Sequence, residues 1–237
     1  MKPDLSLNKA IDQIRIIGGK ETDGWCQDYF GQVQKIKGAN RVFIRIASAI
    51  DKEQIEDYLV EIRFALIFIA LKYDVEFEPF GEKGPDLKIE RDNRCIVLEI
   101  TRFRKIYPCP PPLDVSESCN EYGNSPRDIK KSIEKITEKF RQVANHNSII
   151  AIWNDDGELE NKEVETAVLN ICTDVSNNIR SIPNGLLFVL YGSQSVIRNE
   201  QLYCFPFCTL DEPYRNWKEE LQKYFVPSLV QEGLRSL

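Results

Sequence analysis

The sequence predicts an α/β fold, a mixed central β-sheet flanked by helices, with extra helices towards its N- and C-terminal ends. Three observations lead there. Apolar residues at helical spacing alternate with short strand-like runs along most of the chain. Three of those runs follow one another between residues 75 and 101, parted only by turn signals. Of the 237 residues 42% are hydrophobic and 29% charged, the balance of a chain that closes a packed core rather than of a disordered one.

Residues 1–50 read as an N-terminal helical extension packed on the core. One helix covers Leu5 to Ile17 and is stopped by Gly18-Gly19, a second covers Trp25 to Ile36, and the apolar alternation Val42-Phe43-Ile44-Arg45-Ile46 follows. Asp51 stands at an N-cap position with Gln54 at capping-box spacing, and Ile55 to Tyr73 is helical, apolar on all sides after Phe64. The strand-like runs are Val75 to Phe80, Pro85 to Glu90 and Cys95 to Thr101, with turns at Gly81–Gly84 and Arg91-Asp92-Asn93, a β-meander. Tyr107 to Asn124 contains Pro108, Pro110, Pro111 and Pro112 and has no periodicity, as lids and binding loops do.

A strong helix start ends that segment. Ser125 caps, Pro126 suits the first helical position, and Ile129, Ile133, Ile136, Phe140 and Val143 form a stripe. Ser148 to Trp153 and Leu186 to Tyr191 read as buried strands. Between them Val164, Val168, Ile171 and Val175 mark a helix, and Pro213 opens a last one that stops before Pro227. Residues 51–237 are therefore expected as the main domain, its core at 51–155, in a chain that forms a single domain overall.

Composition excludes several classes of function. The longest apolar stretch, Phe64 to Leu71, is far short of the ~20 residues a bilayer needs, and Met1 to Asp4 opens no signal sequence, so no membrane partner is expected. Seven scattered cysteines fit reduced thiols in a cytoplasm. Cys204 and Cys208 have a C-x₃-C spacing but lack a second pair to complete a zinc site. His146 follows a helix end, where a cation suits the helix C-terminus, and as the only histidine it nearly excludes His-dependent metal sites and a Ser-His-Asp triad. No phosphate-binding Gly-rich loop or nucleophile elbow occurs. The net charge of −6 means that any nucleic-acid affinity must come from a local patch.

The chemistry concentrates on two acids. In Cys95-Ile-Val-Leu-Glu99-Ile-Thr101 a carboxylate interrupts an apolar strand, a costly arrangement unless it is paired or bound to a cation. Asp86, Lys88 and Glu90 alternate with Leu87 and Ile89 on the preceding strand, and Asp86 follows Gly84-Pro85 at its start.

This order, a helix, a strand, a strand opened by Gly-Pro-Asp, a strand carrying Glu-x-Thr, then helix and strand, resembles the PD-(D/E)XK nuclease family over residues 51–155. The resemblance implies a restriction-endonuclease-like core (α-β-β-β-α-β) and a Mg²⁺-dependent (or Mn²⁺-dependent) nuclease hydrolysing phosphodiester bonds in DNA or RNA. It implies Asp86 and Glu99 as metal ligands, the carbonyl of Ile100 beside them, and Glu61 as a third acid from the helix. The pattern is broken where the family has its catalytic lysine, because that position is Thr101. Lys88, on the strand face of Asp86, and Lys131, in the first turns of the next helix, are the candidates for the displaced cation. An inactive nuclease-fold module that binds nucleic acid or a protein is the alternative that Thr101 supports.

A basic patch accompanies the acids. Arg102, Arg104 and Lys105 leave the third strand, and Lys130, Lys131 and Lys135 lie on the following helix, where they can track a phosphate backbone. Tyr107 and Tyr122 can stack on bases. Cutting both strands of a duplex would call for a homodimer.

Overall fold

In the computed structural model, residues 5–18, 29–81, 83–103, 125–154, 159–193, 202–207 and 212–223 are described. The expected loop Tyr107–Asn124, with Tyr107 and Tyr122, and the residues Arg104, Lys105 and Cys208 lie outside them. The fold is α/β: six strands form one open mixed sheet in the order β1-β2-β3-β4-β5-β6. They are β1 (Asp74–Phe77), β2 (Leu87–Arg91), β3 (Arg94–Phe103), β4 (Ser148–Asn154), β5 (Leu186–Ser193) and β6 (Leu202–Pro206). The helices are α1 (Leu5–Gly18), α2 (Ala39–Ala47), α3 (Lys52–Ala70), α4 (Pro126–Glu138), α5 (Phe140–Val143), α6 (Asn161–Ser176) and α7 (Glu212–Lys223). The backbone packs as two compact units that divide between Ile100 and Thr101.

In the first unit the meander is present: β1 pairs antiparallel with β2, and β2 with β3. Val75 and Phe77 of β1 and Leu87 and Ile89 of β2 are buried, whereas Ile96 to Ile100 of β3 are buried without a break. A strand covered on both faces reads as a continuous apolar run, which is why Glu99 stands out. The start of α3 is as expected, since Asp51 Oδ1 accepts from Gln54 N at 2.8 Å.

The alternation Val42–Ile46 is not extended. It lies in α2, where Val42, Phe43 and Ile46 are buried at helical spacing and Ile44 is exposed. Gly38, at φ +82, turns the chain into α2 directly against β1, and a Cβ there would stand 2.5 Å from the carbonyl oxygen of Phe77. Gly38→Ala is expected to cost about 3 kcal/mol in a denaturant melt, left-handed backbone strain plus displacement of the edge strand.

In the second unit β4 and β5 are parallel and almost wholly buried, and β6 pairs antiparallel with β5. Strand β6 was not legible in sequence: it holds Cys204, a buried free thiol pushed up to about 12 by burial. The expected stripe from Ile129 to Val143 spans two helices, because α4 ends at Glu138 and α5 starts at Phe140; Ile136 and Val143 still reach the core of this unit. The cap is as expected, Ser125 Oγ accepting from Asp128 N at 3.3 Å.

Glu163, 2% exposed, ties two helix starts together: Oε1 accepts from Ser125 N and Oε2 from Glu160 N, each at 2.9 Å. Glu163→Ala strands both N–H groups in a buried place. A loss of about 3 kcal/mol, or roughly 8 °C in Tm, is expected by thermal melt.

Candidate active site

The meander's acids flank one set of strand pairs. β2 pairs from Leu87 onward, with Phe77 on one side and Leu98 on the other, so Asp86 stands one residue before Leu87, while Glu78 and Glu99 each follow one of its partners. Two hydrogen bonds fix Asp86 there. Its backbone carbonyl accepts from Glu78 N at 2.8 Å, and its Oδ2 accepts from Ile100 N at 2.7 Å. A side chain thus continues the pairing of β2 with β3 where the backbone of Pro85-Asp86 departs from the strand. Glu99 is 1% exposed and Ile100 7%.

Glu61 of α3 and Arg45 of α2 lie in the same unit as these acids. The Arg45 guanidinium grips Glu61 with two bonds, Nη1 to Oε1 at 3.0 Å and Nη2 to Oε2, and its Nε lies 2.8 Å from Glu78 Oε1. Its plane lies 4.7 Å from the centre of the Tyr58 ring. Arg41, one turn earlier, donates to the backbone carbonyls of Phe77 and Glu78, so α2 is fastened to the end of β1.

The electrostatics follow from three carboxylates facing one guanidinium. Burial, then the charge of Asp86, pushes Glu61 up to about 8; Arg45 opposes both, and Glu78 adds to the rise. Burial works to lower Arg45, yet Glu61, Glu78 and Asp86 together hold it above its ordinary value. Surplus negative charge of this kind is relieved by a proton or by a cation.

The other candidates have separate surroundings. Lys88 pairs with Glu90 at 3.0 Å and Glu76 at 4.0 Å, and its ammonium is raised first by the hydrogen bond to Glu90. It lines a groove of about 630 Å³ beside β1, together with Lys35, Lys37, Tyr73 and Glu76. In the second unit Lys131 Nζ lies 4.2 Å from the centre of the Phe103 ring, and burial lowers its pKa. Lys130, 79% exposed, is 3.9 Å from Glu134, and Lys135 is half-buried on the same helix. Arg102 is buried.

Among the described residues no three His, Cys, Asp or Glu side chains form a group that could hold a metal ion. Hard carboxylate oxygens remain the donor chemistry that Mg²⁺ accepts, and this ion keeps several waters where a protein offers it only one or two acids. Among the described residues no helix is long and apolar enough to cross a membrane.

Family models, curated proteins and solved structures give no match to the chain. Its site therefore rests on its own geometry. The sequence reading missed Arg45, Arg41 and Glu78. The available signal was a charge inside an apolar run, Ile44-Arg45-Ile46 and Phe77-Glu78-Pro79-Phe80, the same signal that marked Glu99.

Proposed function

We propose that the chain is a Mg²⁺-dependent (or Mn²⁺-dependent) nuclease that hydrolyses phosphodiester bonds in DNA or RNA, with Asp86 and Glu99 as metal ligands and the Ile100 carbonyl beside them. The observation that carries this reading is the hold on Asp86: the Gly-Pro-Asp acid, just before β2, accepts from the N–H of Ile100, the residue that follows the buried Glu99 on β3. The element order α3-β1-β2-β3-α4-α5-β4 also supports it, the order of a restriction-endonuclease-like core with the short α5 added before β4. When bound, the metal would activate a water and offset charge on the phosphoryl oxygens. The protein's part is to keep Glu99 buried on β3 and to keep the half-buried Asp86 oriented by its hydrogen bond. Lys130, exposed, and Lys135, half-buried, both on α4, are the candidate phosphate-contacting residues of the second unit.

The test is a cleavage assay on single- and double-stranded DNA and RNA with Mg²⁺ or Mn²⁺, against a chelator control. Metal-dependent cutting is the expected result. Binding that weakens steeply with salt, without cutting, would favour the second reading, a nuclease-fold module that has lost catalysis. Thr101, where a lysine would stand, is the observation behind that alternative.

A further inference from the structure

If β3 lacks its lysine, the positive charge of the site must come from elsewhere. Lys88 is engaged by Glu76 and Glu90. Arg45 is the cation that the first unit brings to the acids, and its setting is unusually restrained. Both oxygens of Glu61 accept from it, Glu78 takes its Nε, and the Tyr58 ring lies against its plane. A planar fork held at this many points presents its remaining donors in a fixed direction, the geometry suited to a phosphate. A guanidinium has five N–H donors, so the two hydrogen bonds to Glu61 and the ion-pair contact with Glu78 do not exhaust it. Arg45 is also the part of this cluster nearest solvent, 23% exposed against 9% for Glu61 and 7% for Glu78.

The occupancy of Glu61 matters as much. With each carboxylate oxygen accepting from Arg45, Glu61 offers a metal only the lone pairs that this ion pair leaves, and a cation there would stand against the guanidinium charge. The cheaper arrangement leaves that pair intact.

We propose that Arg45 is the cation that meets the substrate phosphate in place of the missing lysine, and that Glu61 and Glu78 are positioning residues that hold it rather than metal ligands. This rests on the nuclease reading but differs from it in the role of Glu61. The ligand chemistry is a phosphodiester, with DNA and RNA as its two sources.

The experiment uses the full chain and two readouts other than turnover. In chelator, where nothing is cut, short fluorescein-labelled single-stranded DNA and RNA are titrated against wild type, Arg45→Gln and Arg45→Lys. Mn²⁺ alone is titrated calorimetrically against wild type, Glu61→Gln and Asp86→Ala. Arg45→Gln is expected to weaken oligonucleotide binding about 10-fold and to reduce its salt slope by about one. Arg45→Lys keeps the charge but not the fork, so it should retain the slope and lose about 3-fold in affinity. Because lysine still neutralises the carboxylates, this variant carries the test if the glutamine variant fails to fold. Glu61→Gln should bind Mn²⁺ within about 2-fold of wild type, while Asp86→Ala should not bind it.

Oligonucleotide binding unchanged in both Arg45 variants would overturn the proposal while leaving the metal pair intact. So would a 10-fold or greater loss of Mn²⁺ affinity in Glu61→Gln, because Glu61 would then be a ligand. Wild type that binds neither Mn²⁺ nor either oligonucleotide would overturn this proposal together with the nuclease reading.

Discussion

Asp86→Ala and Glu99→Ala are each expected to lower metal-dependent cleavage by about 10³-fold or more, since each removes one of only two acids assigned to the metal. Both should also abolish stabilisation by the ion. For wild type that stabilisation is RT ln(1 + [L]/Kd), about 2.7 kcal/mol at 100 times Kd, and it is read as a rise in Tm on adding Mg²⁺.

The two positions need different controls. Asp86 Oδ2 accepts from Ile100 N, so alanine also removes a structural bond worth about 1–2 kcal/mol. Asp86→Asn keeps an acceptor there while losing the charge, and it should keep the fold but not the metal response. Glu99 is 1% exposed, and glutamine keeps its shape while losing the charge. Glu99→Gln should therefore lose the rise in stability that Mg²⁺ gives wild type. If cleavage per folded molecule survives in Asp86→Asn and Glu99→Gln, the two acids are structural and the nuclease assignment is wrong.

The second large effect is on stability. Arg45→Met removes the guanidinium that faces Glu61 and Glu78, side chains only 9% and 7% exposed. Stripping the partner from buried carboxylates leaves charge with nowhere to go, and a loss of about 3 kcal/mol near pH 8 is expected in urea melts. At pH 5 the loss should be smaller, because a carboxyl that takes up a proton no longer needs the partner.

Wild type has a related pH dependence with a definite sign. Glu61 is raised from 4.5 to about 8 in the folded protein, so the folded state holds this proton more tightly than the unfolded chain. The stability it contributes is complete below about pH 4.5 and is lost as pH rises through about 8. In chelator this group should make stability fall across that window by no more than about 1.4 kcal/mol per pH unit, the share of one proton. Glu61→Gln should flatten the slope. A slope that is unchanged in Glu61→Gln would mean that another group carries it.

Much of this protein was legible residue by residue. Asp51, with Gln54, marked the start of α3, and Ser125-Pro126 marked that of α4, because capping chemistry is local and needs no knowledge of distant chain. The meander was legible from three apolar runs and two turns. Glu99 announced itself because a strand covered on both faces tolerates few charges. The pairing of β2 with β3 followed from the same runs, since a short turn between antiparallel strands leaves little choice of register.

What the sequence left open depended on packing between segments far apart in the chain. Val42–Ile46 fits either period over so few residues. The alternative was resolved by the turn at Gly38 against Phe77 and by the burial of Val42, Phe43 and Ile46 on one side of α2. Strand β6 is short, and its place beside β5 is set by pairing that only the assembled sheet supplies. Arg45 lies 16 positions from Glu61, on another helix, so no spacing rule could join them. The sequence by itself determined the α/β pattern and the meander, because caps, turns and strand periods are local. Tertiary structure alone decided that Arg45 meets Glu61 and Glu78, because a salt bridge between segments far apart in the chain is a property of how they pack.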